Sequence, residues 1–388
     1  MKKKICFFIA LVFSLKLSCQ SLSAVSFKNY DSFSFATYFS RNPNFAFRGD
    51  TLFSFNELKL SCFPGNGLPQ TYNLETLLPK EDRKLISRDY GFNYLFSGNL
   101  LIVRAKNQVF LFNYLNGKPK FRQRIQLSEN YPGSIYRKGD SLYFYKIYNQ
   151  HVKDSKLPSG FILYNLSTGK EEIHKLPFDY LAITHMAPNS FIDFTSSGYL
   201  VCDPLRYRIY EYDFEYRLKD SICGPDSSFT ISNTGAFKSK FKDKELSENA
   251  SDYLADMTTY LQTIDRIWMV NYIDENTLFV RLTRNTQNTA ENKRELFYDH
   301  IWQKKNGSWK LVQVRPLTNF NSSQPITEKD LWPHFFPGSK YTCSNGSLYY
   351  TVWSSSANTF PQTGRTFFGF DATDRSRLGL KVIQFKVR

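Results

Sequence analysis

An aromatic residue followed by Asn or Asp ends an alternating strand at nearly even intervals: Phe112-Asn113, Tyr164-Asn165 and Tyr212-Asp213. The pair returns at Phe370-Asp371, and in a looser copy Trp302 takes the aromatic place ahead of an Asn306-Gly307 turn. A first copy falls within residues 49–63. A repeat of roughly 50 residues matches one four-stranded propeller blade. Period-two alternation makes half-buried strands. Asn and Asp start tight turns by bonding their own backbone, and Asn-Gly joins hairpin strands. One such unit cannot bury both faces of its sheet, whereas a ring of them can. The 36 Phe and 25 Tyr of this 388-residue chain supply the material between neighbouring units.

Six units are counted. The expected fold is all-β: a six-bladed β-propeller with one helical insertion. That insertion falls at about 240–265, between the fourth and fifth units, where Leu246, Ala250, Tyr253, Leu254, Met257, Tyr260, Leu261 and Ile264 share one helical face. A cap over one mouth of the ring and a brace against a blade are both open to it. The strand-like ends of the chain, residues 24–39 and 378–388, are expected to pair and close the ring.

The N-terminus reads as an export signal. Lys2, Lys3 and Lys4 precede an apolar run from Ile5 to Leu15, too short to span a bilayer, and a small-residue stretch follows. Cleavage near Ala24 would leave residues 25–388 as a single propeller domain. The triplet ending at Cys19 also resembles a bacterial lipoprotein box, in which Cys19 would be lipidated; Lys16 departs from that pattern. The leader carries four of the positive charges, so the +15 of the whole chain falls to +11 without it. Localisation is expected to be periplasmic or at the outer membrane or cell surface. Beyond the leader, Cys62, Cys202, Cys223 and Cys343 have no paired spacing and read as buried thiols.

The stretch from Val201 to Asp213 resembles one blade of NHL-type propellers, on Val201, Asp203, Arg208, Ile209, Tyr212 and Asp213 at the family spacing. The resemblance implies a structural Asp203–Arg208 pair across the hairpin. It is strict in this unit alone: Val103 and Gln108 stand at the corresponding positions of the second unit. A leader followed by degenerate NHL-like blades is similar to exported bacterial propeller proteins without assigned function. That similarity transfers no catalytic residue.

The chain carries no serine elbow, phosphate loop, calcium loop or sialidase box. His151, His174, His185, His300 and His334 lack metal-ligand spacing and read as surface or turn residues. No catalytic, metal or cofactor site is expected. Arg48-Gly49-Asp50 opens a strand and carries no argument for adhesion. The basic excess, densest at residues 237–244, suits a solvated face, an acidic polysaccharide or a membrane surface. Nucleic acid is not expected as a partner of an exported chain. The expected function is a non-catalytic binding module of the cell envelope, taking a glycan or protein partner at one mouth of the ring. A polysaccharide-directed hydrolase or lyase and a structural subunit of an envelope complex are the alternatives. Arg206, Tyr207 and Arg208, in the turn of the NHL-like unit, are the candidate ligand-binding residues, because Arg forks recognise carboxylates.

Overall fold

The computed structural model describes residues 22–30, 44–48, 51–56, 58–64, 68–86, 92–128, 135–146, 160–175, 192–203, 206–225, 265–285, 295–317, 340–344, 347–355 and 378–387. Their strands pair into six four-stranded antiparallel sheets. After β1 (Leu22–Tyr30), the first sheet holds β2 (Asn44–Arg48), β3 (Thr51–Asn56), β4 (Lys59–Phe63) and β5 (Gln70–Asn73). The second holds β6 (Phe92–Ser97), β7 (Leu100–Ala105), β8 (Gln108–Leu115) and β9 (Lys118–Gln126). The third holds β10 (Ile135–Lys138), β11 (Ser141–Lys146), β12 (Gly160–Asn165) and β13 (Glu171–Lys175). The fourth holds β14 (Ile192–Phe194), β15 (Tyr199–Asp203), β16 (Arg208–Tyr212) and β17 (Leu218–Cys223). The fifth holds β18 (Arg266–Asp274), β19 (Thr277–Asn285), β20 (Glu295–Lys305) and β21 (Ser308–Leu317). The closing sheet takes β22 (Lys340–Ser344), β23 (Ser347–Ser355) and β24 (Leu378–Val387), with β1 added at its edge.

The first strands of successive sheets are neighbours: β2 lies against β6, β6 against β10, β14 against β18, β18 against β22, and β22 against β2. Strands so placed ring a common axis, and the described residues form an all-β propeller with almost no helix. The expectation of six like blades is corrected to five blades continuous in the chain plus a composite sheet built from both chain ends. In that sheet β1 pairs antiparallel with β24, from Leu22 opposite Val387 to Tyr30 opposite Leu380.

The turns follow the sequence grammar where the marker residue sits at a strand end. The Asn165 side chain accepts the Ser167 and Thr168 backbone N–H at 3.0 and 2.9 Å. The Asp213 side chain accepts those of Glu215 and Arg217 at 3.0 and 2.9 Å. Asn113 behaves differently. It sits in the ladder opposite Lys120, and the turn falls to Asn116-Gly117, both at positive φ (51° and 77°).

The core is layered between sheets. Phe55 stacks on Tyr94 at 4.4 Å between the first and second sheets, and Tyr136 on Phe194 at 4.5 Å between the third and fourth. Phe161 meets Tyr199 edge-on at 5.0 Å. Each such pair contributes about 0.5–1.5 kcal/mol beyond its buried area. Leu100, Ile102, Leu111, Leu142 and Ile162 make an aliphatic layer between the second and third sheets.

The predicted insertion at about 240–265 lies outside the described residues, apart from Asp265 at its end, as does the basic run at 237–244. The helix that is described is minimal and lies elsewhere. A 3-10 turn, Leu74–Leu77, is capped by Asn73, and one helical turn, Lys80–Arg83, follows Pro79. Four-residue segments are too short to show a 3.6-residue period. Among the described residues no helix is long and apolar enough to cross a membrane.

Candidate functional site

The two ends of the ring differ. At one end, no connection between paired strands exceeds the six residues 64–69; the others include 98–99, 116–117, 139–140 and 306–307. At the opposite end lie all the links between sheets and the links from second to third strands. They include 147–159, 176–191, 224–265, 286–294, 318–339 and 356–377. The longest links therefore start and finish at strand ends on one side of the frame, the side suited to carry variable segments.

The residues predicted from the NHL-like unit lie at this connection-rich end, in the link from β15 to β16. Asp203 and Arg208 are register partners across that hairpin. The Asp203 carboxylate also lies 3.7 Å from Arg206 Nε. Both arginines stand on the surface, Arg206 with about half of its side chain exposed (48%).

Tyr207 is a correction to the expected ligand-binding trio. Its backbone sits at φ 46°, and its side chain turns inward to 1% exposure. Its hydroxyl lies 2.7 Å from His300 Nδ1 and accepts the indole N–H of Trp302 at 3.0 Å. Tyr207 thus bridges the fourth and fifth sheets and offers no group to solvent. His300, expected at the surface, is 3% exposed for the same reason. His174 is less enclosed; it stacks on Tyr216 at 4.4 Å and lies 3.2 Å from Glu172. His151, His185 and His334 lie outside the described residues, as do Cys19, Gly49 and Asp50. Cys62 and Cys202 are buried free thiols as expected, whereas Cys223 is free and exposed.

The joint between the fourth and fifth sheets holds further polar groups that no local motif marks. Glu211 is 8% exposed. It accepts from Lys304 Nζ at 2.7 Å, Trp309 Nε1 at 3.2 Å and the Tyr272 hydroxyl at 3.4 Å. The Asp193 carboxylate accepts the Tyr272 and Phe194 backbone N–H at 2.7 and 2.9 Å, and burial pushes its pKa up to about 6. Within the fifth sheet, Arg281 grips Asp299 through Nε and Nη2, both at 2.7 Å, with side chains 2% and 0% exposed. Glu211 is 93 and 98 residues from Lys304 and Trp309, which are partners across the β20–β21 hairpin, and it meets them only through sheet packing. Arg281 and Asp299 are legible only once the β19–β20 register is known.

Short ties at the tight-turn end hold neighbouring sheets. Arg48 donates to Asn99 at 2.7 Å, Arg137 to the Ser97 carbonyl at 3.3 Å, and the Tyr136 hydroxyl to the Thr195 carbonyl at 2.7 Å. Ser196 donates to Glu275. These contacts fix the frame. Among the described residues no group of three or more His, Cys, Asp or Glu is arranged to hold a metal ion.

No protein-family model matches this chain, and no curated protein matches it. Solved propellers are similar in arrangement. The WD40 domain of Neurospora crassa Pan2 is 8% identical over 94% of this chain and 96% of that one, with a TM-score of 0.41. The WD40 domain of Toxoplasma gondii coronin is 8% identical over 95% and 86%, also at 0.41. BamB from Moraxella catarrhalis is 8% identical over 89% and 69%, at 0.33. At these scores the propeller assignment rests on the strand ladders and the ring of inner strands.

Proposed function

We propose that the chain is a non-catalytic, exported binding module of the cell envelope that takes its partner at the connection-rich end of the propeller. The observation that carries this reading is the asymmetry of the ring: strand ends on one side are joined by short turns, and those on the other side flank the longest links in the chain. A rigid ring with variable links at one mouth suits recognition.

The start of β1 supports the orientation. Leu22 lies opposite Val387 at the tight-turn end. Attachment through Cys19, three residues earlier in the chain, would tether that end and turn the other away from the membrane. It would also keep β1 whole, whereas cleavage after Ala24 removes the ladder positions Leu22, Ser23 and Ala24. The exposed Arg206 and Arg208 make an acidic glycan the first partner to test.

The test compares charge reversal at the two ends. Retention on an immobilised acidic polysaccharide should fall at least tenfold for Arg206→Glu with Arg208→Glu. It should persist for Lys118→Glu with Lys170→Glu, both exposed beside tight turns. Equal retention by both variants, or loss only from the tight-turn pair, would remove the connection-rich end as the binding face.

A further inference from the structure

A cleft of about 340 Å³ opens between the first and second sheets at the tight-turn end, apart from the face discussed above. Its floor is one face of the first sheet. Phe53, Cys62 and Gln70 sit side by side there across β3, β4 and β5, since Phe53 pairs with Cys62 and Cys62 with Gln70. Tyr114, at the end of β8, forms the opposite wall. Arg48 and Thr51, partners across the β2–β3 hairpin, stand at its rim.

We propose that this cleft binds a small organic monocarboxylate, its acid group held by Arg48 and its apolar body laid against Phe53, Cys62 and the Tyr114 ring. The charge argument is direct. The hydrogen bond of Arg48 is to a neutral amide oxygen, Asn99 Oδ1. That partner carries no charge, and among the described residues no carboxylate pairs with Arg48. A guanidinium has five donors in a planar fork, so the tie to Asn99 leaves others for a carboxylate.

The remaining polar groups also suit an anion. The Tyr72 hydroxyl has one hydrogen and two acceptors in reach, Gln70 Oε1 and the Gly117 carbonyl at 2.9 Å, so both oxygens are engaged and neither adds charge. The Tyr114 hydroxyl lies 3.4 Å from Cys62 Sγ. Burial raises the pKa of both groups, so both stay protonated and add no negative charge. One cation balances one negative charge, which favours a carboxylate over a doubly charged phosphate. The volume is at the lower limit of small-molecule sites, on the order of 300 Å³, which suits a small ligand. This inference is independent of the function proposed above.

The probe pair is phenylacetate and phenylacetamide, alike in shape and different in charge. Titration calorimetry on the full chain should show saturable binding of the acid, and binding of the amide at least tenfold weaker. Arg48→Gln should abolish that preference. Asn99→Ala, which cuts the tie between sheets but keeps the cation, should retain it. Should Arg48→Gln fail to fold, the wild type still decides: millimolar phenylacetate should slow alkylation of Cys62, read site by site by mass spectrometry, and phenylacetamide should not. Equal binding of acid and amide, binding of neither, a preference that survives Arg48→Gln, or unprotected Cys62 would each overturn the proposal.

Discussion

Replacing Tyr207 with Phe tests whether the turn of the NHL-like unit is a joint between sheets. The substitution keeps the ring and removes one oxygen. That oxygen accepts from Trp302 Nε1 at 3.0 Å, which leaves its own hydrogen for His300 Nδ1 at 2.7 Å. Both partners belong to β20, and the site is sealed, so water cannot replace the hydroxyl. Each group that loses this partner costs about 1–3 kcal/mol, and the expected loss for the two is about 2–6 kcal/mol. With an unfolding entropy of about 2.1 cal/mol/K per residue, a chain of 388 residues gains roughly 0.8 kcal/mol/K, so Tm should fall by about 2–7 °C. Scanning calorimetry reads this directly. Trp302→Phe, alone and combined with Tyr207→Phe, completes a double-mutant cycle, and the coupling should reach about 1 kcal/mol. A Tm change under about 1 °C, or full additivity, would refute the joint. Loss of partner binding at unchanged stability would instead return Tyr207 to a ligand-contact role.

Two further substitutions probe buried charge. Asp299→Ala leaves the Arg281 guanidinium enclosed without its bidentate partner. The expected destabilisation is about 3–5 kcal/mol, measured by urea unfolding; a change under about 1 kcal/mol would show that the pair does not hold the β19–β20 hairpin. Asp193→Asn concerns pH. The Asp193 pKa of about 6 lies above its ordinary value of 3.8, so the folded chain binds the proton more tightly than the unfolded one. Its contribution to stability is greatest below about 4 and is lost as pH rises through about 6. The wild type should therefore gain stability relative to Asp193→Asn between pH 7 and pH 4, and parallel Tm-versus-pH curves would contradict this.

The ring was legible in the chain because its unit is local. Alternation and turn chemistry act within a few residues, so Asn165, Asp213 and Asn306-Gly307 announce their turns before any packing is known. Asn113 shows the limit of that grammar: an Asn after an aromatic is a turn former only at a strand end, and β8 runs past it to Asn116-Gly117. Tyr207 and His300 were misplaced for a different reason. A polar residue in a turn is expected outside, and nothing near Tyr207 in the chain reveals that His300 and Trp302 face it from the next sheet. The cleft at Arg48 escaped notice because its walls come from β3, β4, β5 and β8, which no spacing rule links.

The asymmetry of the two ends follows from parity. With four strands to a sheet, the second-to-third link and the link to the next sheet must leave at the same end, while the other two links fall at the opposite end. Insertions at either end would leave the sheets intact, yet length is concentrated at only one of them in this chain. The tight-turn end is where the sheets are tied to each other through Arg48, Arg137, Tyr136 and Ser196. Lengthening a turn there would displace donors or acceptors of those ties. Thr195 and Ser196 lie inside the β14–β15 turn itself, and Asn99 lies inside the β6–β7 turn. The opposite end has more freedom to vary, and β1 starts at the constrained end, with Leu22 opposite Val387.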